Sequence, residues 1–106
     1  MKSLGIAVLL VSLTGTGQVF ADDALAKAKN CYACHATDKR LVGPSYKEVA
    51  KRYAGKKGAE AELLTSIQKG SMGGKWKDAG VRAVMPPNAV NEAEAKKLVA
   101  WILSMQ

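Results

Sequence analysis

The chain has 106 residues, of which 16 are Lys or Arg and 9 are Asp or Glu, for a formal net charge of +7. That length supports one domain with a modest core. The basic residues are spread without forming a tract and aromatics make up only 6%, which excludes a typical nucleic-acid binder, where clustered Lys and Arg alternate with aromatics.

The chain opens with Lys2 and an apolar run from Gly5 to Leu13, and small residues Val19 and Ala21 follow just before Asp22. A positive start, a short hydrophobic core and a small-residue cleavage point are the order of a secretory signal. Residues 1–21 are therefore expected to be a leader removed after export through the Sec pathway, with residues 22–106 as the mature domain. The apolar run falls short of the ~20 residues that span a bilayer, so no stable membrane insertion is expected.

From Asp22 onward the pattern is of short helices separated by Gly and Pro, with no alternating apolar run to suggest a sheet. The first helix is expected to be capped by Asp22 or Asp23 and to run to the cysteines, with Leu25 and Ala28 as a thin apolar stripe. In "SYKEVAKRYAG", Ser45 with Glu48 is a capping-box signature and Gly55 a stop, leaving Tyr46, Val49, Ala50 and Tyr53 on one face. A third helix is expected from Ala59 to Lys69 with Leu63, Leu64 and Ile67 inward, ended by Gly70. "GSMGGKWKDAG" reads as loop. The last helix has Asn91 as cap and Glu94 at the capping-box position, then Leu98, Val99, Ile102 and Met105 at helical spacing with Trp101 beside them. In so short a chain the two terminal helices are expected to pack on each other.

Both cysteines and the single histidine fall within "CYACH", residues 31–35. Four readings of Cys31, Cys34 and His35 stand side by side. Structural zinc needs four ligands, and no second pair exists to complete the set. A redox dithiol belongs at a helix start after a strand, and no strand precedes this one. A short disulfide closes too few residues to stabilise much. Covalent haem attachment uses all three residues: two thiols bond the vinyl groups, and the adjacent imidazole reaches the iron. It also supplies the apolar volume that a small core lacks.

A haem iron has a second axial position, for which the mature chain offers Met72, Met85 and Met105. Met105 fits the apolar face of the last helix, and Met72 sits in the glycine-rich loop. Met85 stands in "AVMPPNAV", where Pro86 and Pro87 stiffen the backbone. Such a loop can hold a thioether at the iron, with Asn88 hydrogen-bonding nearby. The alternative is an apolar gap-filler. Closure of both faces by His and Met would raise the reduction potential and leave no position for substrate.

Taken together, "CYACH", "VGPSYKEVAKRYAG", "MPPNAV" and "AKKLVAWILS" resemble the small bacterial class I c-type cytochromes, of the cytochrome c-551/c-552 type, in order and over essentially the whole of residues 22–106. The resemblance implies an all-α class I cytochrome c fold, short helices and loops wrapped around one haem. It implies haem c bound through Cys31 and Cys34, with His35 and Met85 as axial ligands to iron. It further implies that the Pro44 carbonyl accepts the proton of the outward-facing His35 ring nitrogen, that Trp76 reaches a haem propionate, and that Asn88 lies near the Met85 sulfur. "WKDAGVRAV" is longer than in similar proteins and lacks the proline before the ligand methionine, which brings Lys75, Lys77 and Arg82 near the haem edge.

The function so implied is that of a periplasmic, monomeric, mono-haem electron carrier without enzymatic activity, serving respiratory redox partners. Its lysines would steer it to acidic surfaces of reductases, oxidases or membrane cytochrome complexes. A ligand-binding or catalytic haem protein, with Met85 off the iron, is the rival reading, and a thiol oxidoreductase the third.

Overall fold

Two capping boxes set the helices that frame the site. In the computed structural model, which describes residues 18–105 and side chains from Asp22 onward, helix α2 spans Tyr46–Tyr53 and helix α4 spans Glu92–Leu103. At α2 the Ser45 hydroxyl accepts from the Glu48 N–H at 3.0 Å while the Glu48 carboxylate accepts from the Ser45 N–H at 2.8 Å. At α4 Asn91 and Glu94 make the same reciprocal pair at 2.8 and 3.0 Å. Each box satisfies backbone donors that a helix start otherwise leaves bare.

Helix α1 spans Gln18–Ala28 and α3 spans Ala59–Lys69; single 3₁₀ turns occur at Cys31–Ala33 and Lys77–Ala79. Among the described residues no strand forms, and extended pairing is limited to His35 with Arg40 and Ser71 with Met85. The all-α expectation therefore stands, with corrections of detail. Asp22 and Asp23 lie inside α1 rather than capping it, and its buried position is Ala26, while Ala28 is exposed. A small side chain at 26 lets α1 cross close to α4, which is what selects that face. The glycine-rich segment is not all loop either, since Trp76 accepts from the Ala79 N–H at 3.0 Å around the second 3₁₀ turn. The expected leader and its cleavage point lie outside the described residues, apart from residues 18–21, whose backbone opens α1.

Helix α4 is the hub, packing against α1, α2 and α3. Leu98 and Val99 are almost fully enclosed, and Trp101 joins them in the core. Each such aliphatic side chain contributes on the order of 1.5–3 kcal/mol by leaving water. Tyr46, Val49 and Tyr53 of α2 and Leu63 and Ile67 of α3 complete the cluster. Leu64 is only half-buried, and Met105, beyond the end of α4, packs on the cluster's edge. The terminal helices are fastened by Lys29, whose ammonium donates to the Ala89 carbonyl at 3.1 Å and pairs with Glu94 at 3.6 Å.

Candidate functional site

Asn30 takes left-handed backbone angles, φ 60° and ψ 24°, which Asn tolerates better than most residues, and so turns the chain out of α1. The 3₁₀ turn that follows places Cys31 and Cys34 side by side: the N–H groups of Cys34 and His35 both donate to the Cys31 carbonyl, at 3.2 and 3.0 Å. The chain then doubles back onto α2. The N–H groups of Tyr46 and Lys47 donate to the Ala36 and Thr37 carbonyls at 2.9 and 3.2 Å, and Arg40 pairs with Glu48.

This return fixes the histidine. His35 Nδ1 lies 2.7 Å from the Pro44 carbonyl. A carbonyl can only accept, so Nδ1 carries the proton and a neutral imidazole leaves its lone pair on Nε2. One face of the ring stacks on Tyr46, with centroids 5.4 Å apart and planes 24° from parallel. Against the ring also lies Gly43, where an added Cβ would stand 2.7 Å from His35 Cε1. Only a residue without a side chain fits there. Tyr46 in turn touches Tyr32 and Trp101 at centroid distances of 5.6 and 5.1 Å, linking the imidazole to the core of α4.

Cys31, Cys34 and His35 open on a cavity of about 1090 Å³, solvent at its mouth included, whose walls include Val49, Leu63, Ile67, Leu98, Val81 and Met85. Its wall is mainly apolar, as that of a ligand site usually is. Met72 also lines it but is 83% exposed, whereas Met85 is half-buried and Met105 is not part of the wall. The Met85 backbone is pinned on both sides. Met85 and Ser71 exchange N–H···O bonds of 3.0 and 2.9 Å, and Asn88 donates its backbone N–H and its side-chain amide to the Ile67 carbonyl at 3.1 and 3.0 Å. The Asn88 amide also reaches the Pro86 carbonyl at 3.2 Å, so its contacts go to the loop's backbone and to the end of α3.

A cytochrome c family model matches residues 22–106. Cytochrome c-551 of Pseudomonas aeruginosa is 46% identical over 92% of this chain and 95% of its own length, and cytochrome c-552 of Hydrogenobacter thermophilus is 46% identical over 92% and 96%. The crystal structure of wild-type Nitrosomonas europaea cytochrome c552 superposes with a TM-score of 0.71 at 41% identity, covering 79% of this chain and 99% of that one. The chain belongs to the cytochrome c family.

Family membership implies one covalent haem c, carried through the cysteine pair, and the residues present fit it. The cavity wall is mainly apolar, as a macrocycle needs, and both cysteines, His35 and Met85 belong to that one wall. The other readings of "CYACH" find less support. The two thiols are free, and burial pushes the Cys31 thiol up, the opposite of an activated redox cysteine. Among the described residues no group of three His, Cys, Asp or Glu could hold a zinc ion.

Polar side chains gather at the Trp76 side of this cytochrome's cavity. Trp76 is half-buried in the wall, and the Arg52 guanidinium lies 3.6 Å from the centroid of its ring. Tyr53 donates to Glu62 at 2.9 Å, and Lys75 pairs with Glu62 at 3.1 Å and donates to Ser66 at 3.3 Å. Lys75 and Tyr53 together hold the Glu62 carboxyl down to about 2. Of the three cations expected near the haem edge, Lys75 lines the cavity, whereas Lys77 and Arg82 are exposed beside it. Gly43, Arg52 and Ser71 are the residues that motif reading passed over, and Tyr46 was read only as part of the apolar face of α2. Only Gly43 left a trace, as the glycine before Pro44.

Proposed function

We propose that residues 22–106, freed of the leader, form a periplasmic mono-haem electron carrier in which His35 Nε2 and the Met85 thioether are the axial ligands. Haem c, bonded to Cys31 and Cys34, supplies the one-electron chemistry. The chain's own residues orient the ligands and exclude water. The observation that carries this reading is the 2.7 Å contact between His35 Nδ1 and the Pro44 carbonyl. It commits the lone pair to Nε2 and makes the ring more basic toward a metal.

Met85 is favoured over Met72 because its backbone is held by Ser71 and by two fixed-φ prolines, and a weak, soft ligand must be held in place. Asn88 orients that loop through Ile67 and Pro86. The Trp76 indole, in the wall at the polar side, would reach a propionate. With both axial positions taken, no coordination site is left for a substrate, which favours carriage over catalysis.

The partners are acidic faces of respiratory redox proteins. Leu41, Val42, Met72 and Val84 are 45%, 54%, 83% and 59% exposed, and the last three line the cavity with Lys75, so its mouth offers an apolar contact beside a basic side chain. Among the described residues no helix is long and apolar enough to cross a membrane, and the small contact suits a brief encounter of a monomer. The test is the near-infrared spectrum of the oxidised holoprotein. A weak sulfur-to-iron charge-transfer band that disappears in Met85→Ala supports the ligation. A holoprotein without the band overturns it and turns attention to gas binding and peroxidase activity.

A further inference from the structure

Residues 71–85 form a closed loop. At its base Ser71 and Met85 exchange two backbone hydrogen bonds, and Gly70, at φ +82°, passes so near that an added Cβ would lie 2.5 Å from the Met85 carbonyl oxygen. The loop's far side meets a side chain of α2 at three points. Arg52, in the last turn of α2, lies 3.6 Å from the Trp76 ring centroid, donates through Nη1 to the Lys75 carbonyl at 3.1 Å, and pairs through Nη2 with Asp78 at 2.6 Å. One flat guanidinium thereby holds three successive parts of the loop, a task a lysine ammonium cannot copy. Lys75 adds a tie to α3 through Glu62 and Ser66.

Between this anchor and Met85 lies the exposed run of residues 82–84. Its neighbour is Gly73 of the same loop, where an added Cβ would stand 2.9 Å from the Arg82 carbonyl oxygen and 3.6 Å from Val84 Cγ2, so the two arms of the loop move together and the base opens when the far side, gripped by Arg52, swings. We propose that Arg52 is a positioning residue for Met85: by gripping Lys75, Trp76 and Asp78 it keeps loop 71–85 shut over the cavity, so that small exogenous ligands do not displace the thioether. The inference rests on the reading of Met85 as an axial ligand. If binding requires the open loop, apparent affinity scales with the fraction open.

The test uses the oxidised holoprotein and imidazole as the probe, titrated by absorbance. Arg52→Ala should bind imidazole about tenfold more tightly than the native chain, the size that one exposed cation–π contact, one ion pair and one hydrogen bond support together. Hydrogen exchange of the Ser71 and Met85 N–H groups should quicken by a similar factor while the amides of Leu98 and Val99 keep their native rates. Equal acceleration in α4 would show a merely structural role and overturn the proposal. Met85→Ala separates the two claims. If it binds imidazole no more tightly than the native chain, the ligation reading itself fails. If it binds more tightly but Arg52→Ala does not, ligation stands and the role of Arg52 is overturned.

Discussion

Gly43→Ala is the smallest change that should disturb the site. Gly43 is buried but not at positive φ, so the backbone itself accepts alanine; the obstacle is His35, whose Cε1, Nδ1 and Nε2 would lie 2.7, 3.1 and 3.3 Å from the new Cβ. A distance of 2.7 Å between these atoms cannot persist, and the ring is held on its other sides by Tyr46 and the Pro44 carbonyl. Either the imidazole tilts and loses the Pro44 bond, or residues 42–44 move away. Overpacking costs about 1–3 kcal/mol, and a buried carbonyl left without its donor about 1–3 kcal/mol; because relief of one deepens the other, the sum should be about 2–4 kcal/mol. At roughly 4–8 °C per kcal/mol for a domain of this size, the melting temperature should fall by about 8–32 °C. Thermal unfolding of the holoprotein gives the magnitude, and the NMR shift and exchange rate of the His35 Nδ1 proton give the cause. Gly55→Ala is the control, since Gly55 has φ +67° with nothing within 4 Å. It should cost about 1–2 kcal/mol through strain alone and leave the His35 signal in place. A Gly43→Ala protein with native melting and an unmoved Nδ1 proton would refute the claim that Gly43 sets the imidazole's position.

Ser45→Ala removes the hydroxyl that caps α2, and as Ser45 is 1% exposed no water replaces it; denaturant unfolding should show a loss of about 1–2 kcal/mol, and an unchanged midpoint would refute the capping account. Glu62 is held near 2 by Lys75 and Tyr53, below its unfolded value, so the folded chain binds fewer protons and this stabilisation, full above about pH 4.5, is lost as pH falls toward 2. The stability gap between native and Tyr53→Phe proteins should therefore narrow over that range, and a gap independent of pH would contradict it. Electron transfer with an acidic partner should slow by roughly tenfold or more as salt rises from about 0.01 to 1 M, because the Debye length shrinks from ~30 to ~3 Å; a salt-independent rate would remove the steering role of the lysines.

Helices whose ends carry their own chemistry were legible in the sequence. Ser45 with Glu48 and Asn91 with Glu94 announce α2 and α4 because a capping box is a contact within four residues. The cysteine pair and His35 were legible for the same reason, as a local motif whose spacing is its meaning. Helix α1 was read less well. Its inward residue is Ala26, and whether 26 or 28 faces inward depends on how α1 crosses α4, which the alanine-rich "ALAKAKN" does not encode by itself. A hydrophobic pattern weak at every position leaves the choice to the partner helix.

What remained hidden is non-local. Arg52 reads as a surface charge at the end of α2, and only the fold brings it against Trp76, Lys75 and Asp78, more than twenty residues away. Asn88 was expected to lie near the Met85 sulfur and hydrogen-bond nearby; its amide meets the carbonyls of Ile67 and Pro86. Both contacts brace backbone, and that is the physical lesson of the site. A short local motif can deliver an imidazole, because Cys34 and His35 are adjacent in the chain. The methionine proposed as second ligand, fifty residues later, has no such tether, so its position must be assembled from the ends of α2 and α3 and from a loop clamped at both ends.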